Sequence, residues 1–459
     1  MRKLIVFLWI LLSLCMVACS SGIVPQTEAE TQEHPSQTAT AEQKTAEDEI
    51  VAEGPHDPTG FAAGFARVEA NPPAGTGLGG FANNADRISG VIQDDIMITC
   101  ICISDGESKV LLFSLDTLSV SEAVWNQIAS QTQKKLGIPK ENIILNCTHT
   151  HSAPQLSTTS LANMKAYMQL FYPKALEAAT RAVADLDQCE MKIGRAQTDG
   201  LNYVRRYLNA DGTYAGGTDL SYGKDPALFH HETEADEEMQ VIVFDRANQK
   251  DIVLCNWQCH TTTIGSSTGT IVSADWVYPL RTAVEEQNDV HFSFHQGAGG
   301  NLVPGGKLQG ENKNSDYYKH GAAIAEVVKR AMQSAEAVEH GKIATLVEKH
   351  TAQVKKEDQG ERGKTDVFNL VAFSVGDVSF VTAPFEMCHE LGQMTKKGTP
   401  YKMTFVCAYS NGSYSYVPAE HSWANGGYEV RSCHYLPGSG EEVVNHQLSM
   451  LQTLYDSRS

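Results

Sequence analysis

The chain is expected to be α/β: mixed, layered sheets flanked by helices in a single large domain. Three observations carry that expectation. Apolar residues make up 42% of 459 and charged residues 20%, the balance of a globular core. In the first half, β-type runs alternate with long amphipathic helical patterns, the order of a mixed α/β layer. In the second half, further β-runs are punctuated by Asp-Gly and Gly-Asp turn pairs. No internal repeat and no second-domain boundary is visible.

At the N-terminus, Arg2 and Lys3 precede an apolar run from Leu4 to Leu14, and Ala18-Cys19-Ser20-Ser21-Gly22 follows. The run is too short to span a bilayer. A small residue before a cysteine resembles the lipobox of bacterial lipoproteins. Residues 1–19 are then a signal peptide, Cys19 carries a lipid, and the chain is exported and anchored to the cell-envelope membrane. Residues 20–58 are rich in Thr, Glu, Gln, Ala, Ser and Pro and poor in large apolar residues, the composition of a disordered acidic tether. The folded domain is expected over residues 59–459. The net charge of −19 argues against nucleic acid as a partner. Nine cysteines remain after Cys19, an odd number mostly in apolar runs as buried thiols are, and one or two disulfides are possible in an exported protein. Nothing in the sequence sets the oligomeric state.

Within the domain, Ile96 to Ser104 and Lys109 to Leu115 predict a hairpin about Asp105-Gly106. Ser119 to Leu136 predicts a helix capped by Ser119 or Ser121 and stopped at Gly137. Ile143-Ile144-Leu145 predicts a buried strand, and Asn163 to Leu186 a second helix. Asn202 to Tyr214 suggests a hairpin turning at Asp211-Gly212 and carrying Arg205 and Arg206. Gln240 to Phe244 and Ile252 to Gln258 form another strand pair, leading into Cys259-His260. A short strand at Val290 to His295 and a helix from Asp316 to Ala335 follow. Then come a hairpin about Gly376-Asp377, a strand over Met403 to Ala408 and a last helix from Glu441 to Tyr455.

The chemistry centres on Asn146-Cys147-Thr148-His149-Thr150-His151-Ser152-Ala153-Pro154. Residues two apart on a strand share a face, so His149 and His151 are expected to project together beyond the Ile143 strand. Two imidazoles aimed into one space suit a metal. Alone, a His-x-His is more often a pair of hydrogen-bonded structural histidines. His260, Glu386 and Tyr416 also follow apolar strands, where open α/β folds place their sites.

Three motifs fail on context. Gly75 to Gly80 matches G-x-G-x-x-G, but no strand leads in and no apolar helix leads out. Cys255 to His260 is one residue too long for a haem attachment site. Gly265-Ser266-Ser267-Thr268-Gly269 matches G-x-S-x-G but precedes a β-run, whereas a nucleophile elbow opens a helix.

Asn146 to Pro154 resembles the T-H-T-H-S-x-P segment of the neutral/alkaline non-lysosomal ceramidases, zinc amidases that cleave N-acyl-sphingosine. Gly64-Phe65-Ala66-Arg67-Val68, Leu115-Asp116, His260 with Ser273-Ala274-Asp275-Trp276, and Pro384-Phe385-Glu386 resemble further segments of that family. So do Tyr416-Val417-Pro418 and Tyr428-Glu429, two tyrosine motifs twelve residues apart. The resemblance implies Zn²⁺ held by His149, His260, Glu386 and Tyr416. It places His151, Tyr428 and Arg205 (or its neighbour Arg206) at the reacting centre. The implied activity is hydrolysis of a ceramide-like or other small N-acyl amide by metal-activated water. Another amide or ester substrate, or a ligand-binding lipoprotein with a degenerate site, are the alternatives. The family's Gly-x-x-Ser-Pro segment reads Gly300-Asn301-Leu302-Val303-Pro304 here, so valine stands where the family has serine.

Overall fold

The computed structural model describes residues 58–81, 87–217, 228–264, 270–305 and 316–458. The signal peptide, Cys19, all but the last residue of the tether, and Gly265 to Gly269 lie outside the described residues. Three units of the same plan make up the fold. In the first, β1 (Ala62–Glu69), β2 (Met97–Ser104) and β3 (Lys109–Leu115) form an antiparallel meander. Helix α1 (Glu122–Leu136) then crosses to β4 (Ile143–Cys147), parallel to β3, and α2 (Met164–Ala184) packs back over β1 and β2. The second unit repeats this with β5 (Asp187–Gln197), β6 (Glu238–Arg246), β7 (Ile252–Trp257), α3 (Val277–Asn288), β8 (His291–Gln296) and α4 (Tyr317–Gln333). The third uses β9 (Ile343–Gln353), β10 (Thr365–Val375), β11 (Val378–Ala383), helix His389–Gly398, β12 (Met403–Ala408) and helix Ser439–Asp456. This repeat is one of topology, and the sequence hides it because the three units share a pattern of elements rather than of residues.

The first two units join edge to edge through β1 and β5, giving the strand order β8-β7-β6-β5-β1-β2-β3-β4. The third unit's sheet, β9-β10-β11-β12, covers one face of this large sheet. Between the two sheets lie Ile101, Leu112, Ile144, Ile242 and Leu254 from one side and Phe373, Phe380 and Phe405 from the other. Helices α1 and α2 cover the far face of the first unit, and α3 and α4 that of the second. The mixed, layered α/β expectation is therefore met.

Local chemistry explains the elements that position the site. The β2–β3 turn forms because Asp105 Oδ1 accepts from the amides of Glu107 and Ser108, while Gly106 takes a left-handed φ of 86°. Ser121, rather than Ser119, caps α1, accepting from the Val124 amide, and Gly137 ends it at φ 72°.

Some expectations changed. The 202–214 hairpin is shorter and later, with Tyr207–Asn209 pairing Tyr214–Gly216. Asn202–Val204 instead pairs Leu302–Pro304, because Arg205 and Arg206 between them turn inward to buried carboxylates. The long strand β9 and the helix α3 carry too many polar residues to announce themselves by periodicity. All nine described cysteines are free and eight are buried, so the possible disulfides are absent among the described residues.

Asn146 ties all three units together. Its Nδ2 donates to Gln296 O (3.1 Å), Ala408 O (2.7 Å) and Ser410 Oγ (3.1 Å), and its Oδ1 accepts from the Gln296 amide at 2.7 Å. The side chain is fully buried, so no water replaces a lost partner. Asn146→Leu is expected to destabilise the protein by about 3 kcal/mol or more, since each stranded buried group costs about 1–3 kcal/mol. Urea unfolding checks this, and a shift below about 1 kcal/mol would count against the tie.

Candidate metal centre

The site forms at the ends of strands from all three units. β4 runs out at Cys147, and His149 takes a left-handed φ of 63°. The expected projection of His149 and His151 from one strand face is therefore replaced by a turn. Amide bonds hold it: His149 N donates to Thr117 O (3.1 Å) and His151 N to Thr261 O (3.1 Å). A parallel bridge between Thr150 and Thr261 lays this turn beside His260, which follows β7. Glu386 follows β11, and Tyr416 lies beyond β12. The two are direct partners in a two-residue parallel ladder.

Gly80 and Gly300 allow the close approach. At Gly80 (φ 102°) a Cβ would stand 2.5 Å from the His151 ring, and at Gly300 one would stand 2.5 Å from Glu386 O. The glycine-rich 75–80 segment thus packs against His151.

Both His149 and His260 have a fixed tautomer. His149 Nδ1 lies 2.8 Å from Leu118 O, and His260 Nδ1 lies 2.8 Å from Gly299 O and 3.0 Å from Leu302 O. Carbonyl oxygens only accept, so each Nδ1 carries the hydrogen and each Nε2 presents a lone pair. Those Nε2 atoms lie 3.2 and 3.3 Å from the same Glu386 Oε2, with Tyr416 OH 3.4 Å from His260 Nε2. The close pairs are ion-pair distances without hydrogen-bond geometry, and Oε2 has no hydrogen-bond donor. A carboxylate oxygen without a donor, set against two imidazole nitrogens, is a place where a cation lowers the free energy. The backbone carbonyls behind the two imidazoles are the supports that metal-ligating histidines require.

His151 Nε2 lies 3.3 Å from His149 Nε2, and the three histidines could together hold a metal ion. Only His151 lacks a carbonyl behind it: its Nδ1 is buried without a partner. Burial pushes His260 down to about 4, and burial with the neighbouring His149 and His260 pushes His151 well below the usual imidazole range. Both rings are therefore neutral at pH 7, as ligation or proton acceptance requires. Burial, then the Glu386 charge, pushes the Tyr416 phenol well above its ordinary range. A phenolate there needs a cation beside it.

Arg205, and not Arg206, faces the centre. Its Nη2 donates to Tyr416 OH (3.2 Å) and Gly300 O (2.9 Å), and its Nε to Glu429 Oε1 (2.7 Å). The guanidinium lies 5.5 and 5.4 Å from the rings of Tyr416 and Tyr428. Tyr428 is half exposed at the mouth of a cavity of about 460 Å³ that Arg205, Tyr214 and Arg431 also line. Arg206 is buried between Glu232 and Glu429, a structural pair. Val303 is buried among Tyr203 and Tyr207.

Two residues escaped the sequence reading. Glu429 holds both arginines, and nothing but its place beside Tyr428 marked it. Tyr409 stacks on His149 (centroids 4.1 Å apart), and its signal is a left-handed φ of 54° that only the structure reveals.

The family model for neutral/alkaline non-lysosomal ceramidase, N-terminal, matches residues 61–297. The neutral ceramidase of Pseudomonas aeruginosa superposes with a TM-score of 0.73 at 17% identity, covering 87% of this chain and 75% of that one. A ceramidase complexed with C2 superposes with a TM-score of 0.72 at 17% identity, covering 87% and 76%. These two show the fold. No curated protein sequence matches the chain.

Burial raises the Glu429 carboxyl, and Arg205 and Arg206 overcome that to hold it below the usual carboxylate range. A depressed folded-state pKa contributes stability that is present above the unfolded value and lost as pH falls through the folded one. Glu429→Gln leaves two buried guanidinium groups short of charge. It is expected to cost about 3 kcal/mol at pH 7 and to flatten the loss of stability below pH 4.5. Thermal unfolding from pH 3 to 7 checks both. An unchanged acid limb would show that Glu429 is not the titrating group.

Proposed function

Starting from the fact that the chain belongs to the neutral/alkaline non-lysosomal ceramidase family, we propose that it is a zinc-dependent hydrolase of an N-acyl amide, with a ceramide-like lipid as substrate. The observation that carries this reading is the convergence of two lone-pair imidazoles and a proton-free carboxylate oxygen. His149, His260, Glu386 and Tyr416 would hold the ion, a donor set of neutral nitrogen and oxygen ligands that suits zinc. His151 stays outside that set because nothing fixes its tautomer. Zinc, when bound, supplies a Lewis acid that polarises a carbonyl and makes water a usable nucleophile near neutral pH.

The chain's own groups do the rest. Arg205 is held by Glu429 and Gly300 O with its charge beside Tyr416, where it stabilises negative charge developing on the acyl oxygen. His151, neutral and with Nδ1 unpartnered, takes a proton from the attacking water and returns it to the departing amine. The water oxygen bonds to the acyl carbon, the C–N bond breaks, and a carboxylic acid and an amine leave. Tyr428 covers the mouth against solvent. Val303 contributes neither nucleophile nor hydrogen bond, so water is the attacking group.

A different amide or ester is the second reading. It is favoured by Val303 and by the arginine-lined mouth, which suits a polar head group better than two alkyl chains. We also propose that Cys19 anchors the exported protein to a membrane, supported by the small residue before it and the acidic spacer after it. No helix among the described residues is long and apolar enough to cross a membrane.

The protein is expected to contain one zinc per chain and to release fatty acid from N-acyl-sphingosine in a chelator-sensitive reaction. His149→Ala is expected to lose the metal and at least about 100-fold in rate, because even supports behind metal ligands are worth about 10–100-fold. Metal analysis with a fatty-acid release assay checks this. Zinc without release from N-acyl-sphingosine would leave only the broader hydrolase, and a protein that takes up no zinc would sink both.

A further inference from the structure

We propose that Arg87 is the positioning residue of His151: its guanidinium fixes the His151 backbone directly and the His151 ring through Phe81, with no partner on Nδ1 to lock the tautomer. The proposal rests on the proton-transfer role given to His151 in the hydrolase reading above. The three histidines of the centre are held in two different ways. His149 and His260 each have a carbonyl behind Nδ1, and His151 has none. A ring that takes up a proton and gives it back needs a fixed orientation but not a fixed donor and acceptor. Arg87 Nη2 donates to His151 O at 2.7 Å, and Nη1 donates to Gly79 O at 2.6 Å. The Gly79 amide in turn donates to Ala153 O at 3.1 Å. One guanidinium thus laces the glycine-rich 75–80 segment to the turn that carries His151. Gly80 lies against the ring, and Phe81 meets it in a T-shaped contact with centroids 4.9 Å apart. Arg87 Cζ sits over the Phe81 ring, 4.8 Å from its centroid. The chain of contacts Arg87–Phe81–His151 ends in the 3.3 Å approach of His151 Nε2 to His149 Nε2.

Arg87 is an unusual cation to find inside the protein. It is 1% exposed, its Nε has no hydrogen-bond partner, and no carboxylate pairs with it among the described residues. The buried Arg206, Arg246 and Arg281 each meet a carboxylate. Burial alone pushes the Arg87 guanidinium below its ordinary value. A desolvated charge without a counter-charge costs free energy that two carbonyls return only in part. The fork is what the place uses: one planar group reaches two carbonyls and covers an aromatic ring, which the single nitrogen of a lysine does not do together. Its backbone is placed by the antiparallel bridge between Gly77 and Ile88 and by the Leu78 amide donating to Arg87 O at 2.9 Å. The glycine motif that fits no dinucleotide site therefore has a use, as the bed on which the His151 ring lies.

Arg87→Met keeps an unbranched stem and removes the fork. Neither Arg87 nor Phe81 lines the cavity at Arg205 and Tyr428, so the variant is expected to keep its zinc and the wild-type KM. Its kcat on an N-acyl amide is expected to fall about 30-fold, part of the roughly 10²–10⁴-fold that a placed acid–base group contributes. On the nitrophenyl ester of the same acyl group the fall is expected to be only about threefold, because that leaving group departs without a proton. A role in folding alone would lower both rates together. Arg87→Lys, with the charge kept and one carbonyl in reach, is expected to lie between Arg87→Met and wild type. Phe81→Leu keeps the carbonyl bonds and is expected to move the amide-to-ester ratio the same way, and it decides the matter if Arg87→Met does not fold. An unchanged ratio in the folded variant would overturn the proposal, as would loss of zinc. If the wild type cleaves neither substrate, the hydrolase reading fails, and crystal structures of wild type and variant then judge the positioning. A His151 ring displaced while His149 and His260 stay in place sustains it, and an unmoved ring overturns it.

Discussion

The structure turns on one buried carboxylate oxygen. Two imidazole Nε2 atoms meet one carboxylate oxygen at 3.2 and 3.3 Å in a buried space, and that oxygen has no hydrogen-bond donor. Such an oxygen costs free energy that a donor or a cation returns. The surrounding backbone is spent on keeping it in place. Leu118, Gly299 and Leu302 carbonyls fix the tautomers, and Gly80 and Gly300 let neighbouring segments come closer than a side chain permits.

The three-unit plan explains how residues so far apart in the chain arrive together. Each unit is a meander, a crossover helix and a parallel strand, and each opens its final loops toward the same place. The first supplies His149 and His151, the second His260 with its Gly299 and Leu302 supports, and the third Glu386, Tyr409 and Tyr416. No unit holds a complete donor set. Asn146, bonded to Gln296 of the second unit and to Ala408 and Ser410 of the third, couples the integrity of the centre to the packing of all three.

Much of this was legible in the sequence, for physical reasons. Turn pairs such as Asp105-Gly106, stops such as Gly137 and unbroken apolar runs are local signals, and they place most strands and helices. The site residues were legible through their family likeness, and the structure brings His149, His151, His260, Glu386, Tyr416 and Arg205 together. What stayed hidden is non-local. That Arg205 and not Arg206 turns inward depends on Glu429, more than two hundred residues away. The His149 turn looked like a strand end because Thr-His-Thr-His alternates as a strand does. Its left-handed φ comes from bonds to Thr117 and Thr261 that no local pattern encodes. The repeat of units is invisible for the same reason, since the loops that carry the chemistry differ in each.

The exchange at position 303 then acquires a physical meaning. Val303 sits in a two-strand ladder opposite Tyr203, buried against Tyr207, so its apolar side chain adds packing where a hydroxyl would need a partner. Losing a hydroxyl on that side of the centre leaves its donor geometry untouched, because His260 is held by the backbone of Gly299 and Leu302 and not by the residue-303 side chain. The exchange at position 303 therefore leaves the arrangement of the candidate metal-binding side chains unchanged. Arg205 at the mouth is held by Glu429, and the Tyr409 backbone behind His149 is held by Phe385 and Cys147. Under the proposed hydrolase reading, substrate identity is a question about the cavity at Arg205 and Tyr428, and bond cleavage a question about the buried cluster at His149, His260 and Glu386.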